Sequence, residues 1–410
     1  DVDSTRAWTL TLGLAILIPI LVGVVGTMVY LERGRVSEFA ELKLAMGQNI
    51  ALAEEAGDNA ELARNHYYTV LTLANEARAL NPTDNEVLRL QNEARLALDR
   101  LDGITRLQAR PFYTYADGTQ LTAVALGDTL DGGIFTLDRS TNAAYAHQTD
   151  RTFMTLTTPD PSRILFDGMA VGDQVVAGLM DLLWRPAGQE NTRDGVAIVS
   201  SAGTLFNYDP AANDTTATTL GLASEWQAPR AISTYSERLY VLDNGAEAIW
   251  KYLPEGEQFI TAEDDRRIFF SDDPALGEAI DFDIYQGDAS LVVVYADGRI
   301  RYFNTRTGQV TWDETDLLSR GLEAPFSGPT AVKIVGSGVN ASIFVADPGT
   351  SRIVQISRVG TVLAQYRASD ELGQELFASI TDFDVPNNLL DASLRIFAVR
   401  NNVLYMATLD

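Results

Sequence analysis

Residues 290–305 read SLVVVYADGRIRYFNT, a run of Leu, Val and Tyr, the pair Asp297-Gly298, and then an apolar and polar alternation through Arg299-Ile-Arg-Tyr-Phe303. β-Branched and aromatic residues suit a pleated, buried surface. Asp-Gly accepts the positive φ of a tight turn, and the alternation marks a strand with one face turned outward. The stretch is a β-hairpin. The same phrase returns at 132–148 (GGIFTLDRSTNAAYAHQ), 195–210 (GVAIVSSAGTLFNYDP), 238–254 (RLYVLDNGAEAIWKYLP), 342–360 (SIFVADPGTSRIVQISRVG) and 393–409 (SLRIFAVRNNVLYMATL), which makes six copies.

Working outward, an apolar stretch precedes most hairpins, at 169–176, 231–235, 279–285, 331–335 and 380–385. A more polar one follows, at 214–220, 257–262, 309–314 and 361–367. Four strands per unit, recurring at a period of roughly 45–60 residues, is the pattern of a β-propeller blade. One blade cannot bury both of its faces, so the blades must stack around an axis. The expected fold class is therefore mainly β, a six-bladed propeller over 104–410. The sixth copy runs out after its third strand, and 106–115 has the composition of the missing fourth, so this segment is expected to close the last blade and cover its edge.

Composition fits this. The chain has 410 residues, 46% hydrophobic, enough for a large core. There is no cysteine, which excludes disulfides, thiolate metal sites and a cysteine nucleophile. The net charge is −25, and residues 111–410 carry 41 acidic against 20 basic groups. A ring this acidic disfavours nucleic acid and anionic lipid as its partners.

Ahead of the ring, residues 7–31 carry no charge, the length of a single transmembrane helix with some tilt. Trp8 and Tyr30 stand where interfacial aromatics belong, so 1–34 is read as a membrane anchor. Arg33, Arg35 and Lys43 after the span outnumber Arg6 before it, which by charge alone puts the ring in the cytoplasm; an acidic ring behind an anchor points the other way, and an extracytoplasmic ring is the expectation. From 35 to 103 the period is helical. Phe39, Leu42, Ala45 and Met46 mark one stripe, Leu62, Tyr67, Val70, Leu71 and Ala74 a second, and Val87, Leu88, Leu90, Ala94, Leu96 and Leu98 a third. Gly57 ends the first helix, Asp58-Asn-Ala-Glu61 caps the second, Asn81-Pro82 breaks it, and Thr83-Asp-Asn-Glu86 caps the third.

The segment from Tyr67 through Ala79-Leu80-Asn81-Pro82-Thr83-Asp84-Asn85-Glu86 resembles the junction between two tetratricopeptide repeats and implies an antiparallel helical stalk. The order of membrane helix, helical hairpin and propeller resembles the C-terminal part of bacterial membrane proteins with propellers of the NHL or WD-repeat kind. Some of these carry a PPM-type phosphatase before the membrane helix. No phosphatase motif stands in these residues, and the blades lack the Gly-His and Trp-Asp signatures of WD repeats.

Groups for chemistry are few. The two histidines, His66 and His147, have no partner at ligand spacing, which argues against zinc and histidine catalysis. Ile280-Asp-Phe-Asp-Ile284 and Thr381-Asp-Phe-Asp-Val385 place Asp281 with Asp283, and Asp382 with Asp384, on one face of an inner strand. Carboxylates converging in a central channel would take Ca²⁺, a cation that prefers oxygen ligands; otherwise no cofactor is implied. The stretch 180–194, with Trp184 and Arg185, reads as a long contact loop of the second blade. The expected function is a non-catalytic, membrane-anchored scaffold or sensor holding a protein, peptide or glycan on one face. The alternatives are a calcium-dependent, lactonase-like hydrolase and a structural subunit of a larger membrane or surface assembly.

Overall fold

The computed structural model describes residues 35–127, 133–255, 258–260, 267–370, 374–387 and 393–409. The expected span 7–31, with Trp8 and Tyr30, lies outside them; no helix among the described residues is long and apolar enough to cross a membrane. The chain divides into two compact units after Gly103.

The first unit holds three helices, α1 (35–55), α2 (Ala60–Leu80) and α3 (Asn85–Leu101). Met46, Val70, Ala74, Val87 and Ala94 are fully buried in one cluster, the small alanines letting the helices approach closely. Leu62 and Leu96, read as members of the stripes, are instead 43% and 42% exposed. Gly57 takes φ +56° after α1, a left-handed conformation that glycine adopts without strain. The caps fall one residue later than expected: Asn59 accepts from Leu62 N at 3.1 Å, and Asp84 from Glu86 N and Val87 N at 3.0 Å each. Asp58 and Thr83 stand just outside, because only the residue whose side chain reaches back over the first turn serves as cap.

The second unit is a ring of six four-stranded antiparallel blades. The inner strands are Leu121–Leu126, Leu179–Arg185, Pro229–Tyr235, Ala279–Ile284, Ala331–Val335 and Asp382–Asp384, for blades 1 to 6. Each packs against the next, and that of blade 6 packs against that of blade 1, so the circle is closed. The core is a set of interblade seams. Each apolar cluster of this unit spans one junction; Trp250 is sealed between blades 2 and 3, Trp312 between 4 and 5, and Phe383 between 5 and 6. Truncating a side chain of this size in such a seam costs about 3–5 kcal/mol.

The strand Ile104–Thr114 completes blade 6, pairing antiparallel with Val403–Thr408 from Gln108↔Thr408 to Thr114↔Val403. Its first residues also run parallel to the outer strand of blade 5, from Ile104↔Gln365 to Gln108↔Ser369. One segment therefore covers two edges that would otherwise be open, and joins blades 5 and 6 into one eight-stranded sheet.

One assignment is corrected. The inner strand of blade 2 is Leu179–Arg185, whereas 169–176 holds only the two-stranded hairpin of Ala170–Val171 with Gln174–Val175. Both stretches are apolar and short, and only pairing with Gly195–Ser200 selects the later one.

The blades alternate in kind. In blades 1, 3 and 5 the second strand ends in a fully buried aspartate, Asp138, Asp243 or Asp347, followed by a turn whose fourth residue is left-handed: Asn142 (φ 47°), Glu247 (φ 47°) and Ser351 (φ 56°). In blades 2, 4 and 6 it is the inner strand that carries an aspartate, Asp181, Asp281 or Asp382, in each case opposite a valine of the second strand. The matching positions of blades 1, 3 and 5 are Ala123, Ala231 and Ala331. The ring is thus three turns of a two-blade unit.

Candidate functional site: the central channel

The inner strands line the axis in two tiers. The first holds Asp181, Asp281 and Asp382 alternating with the three alanines; the second holds Asp283, Asp384, Lys333, Ser233, Leu183 and Ala125. On the side where these strands begin lies a cavity of about 470 Å³ walled by Asp181, Asp281, Asp382, Arg139, Arg230 and Lys333. On the other side, about 430 Å³ is bordered by Asp283, Asp384, Ser233, Trp184 and again Lys333. Lys333 stands at the waist between them.

The carboxylates work as staples. Asp181 accepts from Ile232 N of the next blade at 2.9 Å, Asp281 and Asp283 from Val332 N and Ile334 N at 2.8 and 2.7 Å, and Asp382 and Asp384 from Val124 N and Leu126 N at 2.8 and 2.9 Å. Every bond crosses from an even blade to the odd blade after it. Amide donors that an inner strand at a channel would otherwise leave unpaired are satisfied this way. The last pair joins blade 6 to blade 1, so the ring is closed on the axis as well as at its outer edge.

Burial pushes all five carboxyl groups up, and Lys333 pulls them back in part. Asp281 is raised to about 8 and Asp384 to about 6. Burial also opposes the charge of Lys333, but the fields of Asp382, Asp384, Asp281 and Asp181 outweigh it and hold the ammonium protonated, with its pKa above the ordinary lysine value.

The four sequence-predicted aspartates all face the channel, but each pair is divided: Asp281 and Asp382 border one cavity, Asp283 and Asp384 the other. Among the described residues no three acidic or histidine side chains are placed to hold one metal ion. The carboxylates point sideways at amide donors, and the positive charge among them is Lys333. The sequence reading passed over both Asp181 and Lys333. Asp181 was hidden by the misplaced inner strand of blade 2. Lys333 carried a signal, a charged residue in the apolar run Ala331-Val-Lys-Ile-Val335, in a chain with three lysines.

Trp184 and Arg185 are on the inner strand of blade 2 rather than in a loop. Trp184 stacks on Phe135 with ring centroids 5.8 Å apart, and buried Arg185 lies over the ring of Phe259 at 4.6 Å. Their surroundings are seam and channel wall, and the loop itself starts at Pro186. The histidines are structural as placed. His147 is buried, with Nε2 2.6 Å from the Tyr115 hydroxyl, which also meets Thr136 Oγ1 at 2.5 Å; burial lowers the His147 pKa to about 4. His66 Nδ1 lies 3.0 Å from Asn49 Oδ1.

No protein-family model matches the chain, and no curated protein matches it. Among solved structures it is similar to the WD40 β-propeller domain of Doa1, at 10% identity over 74% of this chain and 98% of that one, with a TM-score of 0.41. The ring rests on its own strand pairings.

Proposed function

We propose that the chain is a membrane-anchored, non-catalytic scaffold or sensor. Residues 7–31 are the anchor, the three helices a spacer, and the ring, outside the cytoplasmic membrane, holds a protein, peptide or glycan on one face. The observation that carries this reading is the use made of the reactive side chains. The channel aspartates are tied to backbone amides, and both histidines to neighbouring side chains. Groups spent on rigidity make a platform, and recognition falls to the loops at its faces. The charge of the ring favours a basic or metal-loaded partner, and the uncharged length of 7–31 supports the anchor.

The test is a native pull-down of the full chain in mild detergent, with mass spectrometry, metal analysis and an ester-hydrolysis assay on the same sample. A stoichiometric partner that is lost when face loops are replaced supports the scaffold. About one Ca²⁺ per chain together with ester hydrolysis overturns it in favour of an enzyme. A large complex that persists after loop replacement, and falls apart only when 7–31 is exchanged, makes the chain a structural subunit instead.

A further inference from the structure

The two-blade repeat separates channel side chains whose charge recurs with the fold from those whose charge does not, since at the Arg230 position uncharged Thr330 makes the equivalent junction bond. Whatever recurs in all three units has a structural explanation, and the first-tier aspartates recur. The cations do not. Arg139 follows Asp138 where the other units have Asn244 and Pro348; Arg230 precedes Ala231 where they have Thr122 and Thr330; Lys333 occupies the second-tier place of Ala125 and Ser233. Each unit departs from the repeat once with a positive charge, at three different positions, and all three charges border the same cavity.

None of the three makes an ion pair among the described residues. Arg139 donates through Nε to Met180 O and through Nη2 to Arg230 O at 3.3 Å, and Arg230 through Nε to Ile280 O at 2.9 Å. These bonds orient the guanidinium groups and leave further N–H donors at an exposed mouth. The carboxylates of Asp181, Asp281 and Asp382 are within electrostatic range of these cations, yet are held back by the amides they staple. Both signs of charge therefore face about 470 Å³ of open space without meeting, a volume typical of small-molecule sites.

An occupant with one kind of charge would find an opposing wall. A simple anion meets Asp181 and Asp382, with Asp281 holding its proton beside them, and a simple cation meets two guanidinium groups and an ammonium. We propose that this cavity binds a small zwitterion, an amino acid, dipeptide or betaine, with its carboxylate on Arg139 and Arg230 and its ammonium among Asp181, Asp281 and Asp382. Two neighbouring guanidinium groups suit a carboxylate because their planar N–H forks match its oxygens. The site deepens the reading of the ring as a sensor and rests on it.

The experiment is calorimetric titration of the full chain in mild detergent with the proteinogenic L-amino acids, a dipeptide set and glycine betaine. Matched controls are N-acetylated amino acids, amino acid amides and CaCl₂. At least one zwitterion is expected to bind, with a tenfold or greater loss for its N-acetyl and amide forms. Arg230→Gln is expected to weaken it at least tenfold, and Arg299→Gln, a rim change outside the cavity, to leave it unchanged. Arg139→Gln serves as the second variant should Arg230→Gln lower the melting temperature. No binding by any zwitterion overturns the proposal, as does equal binding of a control that carries only one sign of charge, Ca²⁺ included, or indifference to both arginine changes. Loss of the zwitterion with an intact pull-down partner removes the site and leaves the scaffold; the reverse removes the scaffold and leaves the site.

Discussion

Odd and even blades bury the same residue for different ends. In blades 1, 3 and 5 the aspartate folds back on its own chain. Asp243 accepts from Gln227 N, Ala228 N, Ala246 N and Trp250 Nε1 at 2.7–3.2 Å, and Asp138 from the amides and hydroxyls of Ser140 and Thr141. In blades 2, 4 and 6 it reaches sideways to the next blade. The first kind shapes a turn and the second fastens a junction. At the other three junctions the partners are Arg139, Arg230 and Thr330, donating to Met180 O, Ile280 O and Ile380 O. Alternating blades thus supply acceptors and donors in turn, and no junction has to pair like with like.

The largest effect should come from an odd blade. Asp243→Ala leaves four donors without their fully buried acceptor, and a loss of about 3–5 kcal/mol is expected in denaturant unfolding. A cost below that of an even-blade aspartate would reverse the comparison. Next are the staples: Asp384→Ala and Asp283→Ala are expected to cost about 2–3 kcal/mol each, alike within about 1 kcal/mol. A much larger cost for Asp384 would mean that the junction of blades 6 and 1 depends on its staple more than the threefold repeat implies.

The pH dependence separates the two roles further. Asp281 has a folded pKa of about 8, above its unfolded value of about 3.9, so the native state holds the extra proton in between. Its contribution to stability is full below pH 4 and is lost as pH rises toward 8, with a slope of at most about 1.4 kcal/mol per pH unit. Asp281→Asn should flatten melting temperature against pH over that window. His147 has the opposite sign: its folded pKa of about 4 lies below the free value of 6.5, so its contribution is present above pH 6.5 and is lost as pH falls toward 4. His147→Gln should flatten that acid limb, and a steeper limb in the variant would refute the assignment.

The smallest effect sharpens the repeat itself. Ser233 Oγ donates to Asp283 at 2.7 Å, while blade 1 has Ala125 in its place. Ser233→Ala is expected to cost about 1 kcal/mol by thermal unfolding, small because Asp283 keeps Ile334 N.

Much of the ring was legible because a hairpin is a local object. Asp297-Gly298 and the apolar runs beside it state their turn and strands within sixteen residues, and residues facing a seam on both sides read as unbroken apolar stretches. The inner strand of blade 2 was not legible, since 169–176 and Leu179–Arg185 look alike until one of them finds a partner. The site divides the same way. Asp281 and Asp382 could be placed on an inner face by alternation, but their direction along the ring could not, because it depends on amides of the next blade, about fifty residues away for Asp281 and, through ring closure, at Val124 for Asp382.

By itself, then, the amino-acid order determined the six hairpins, the helical stretch ahead of them, the acidity of the ring and the uncharged run at 7–31. All of these follow from neighbours along the chain. Tertiary structure alone decided that Lys333 stands at the waist of a channel, that Asp181 joins Asp281 and Asp382, and that Arg139 and Arg230 open onto the same cavity. Those relations arise only when six blades close a circle, which places residues two hundred positions apart around one axis.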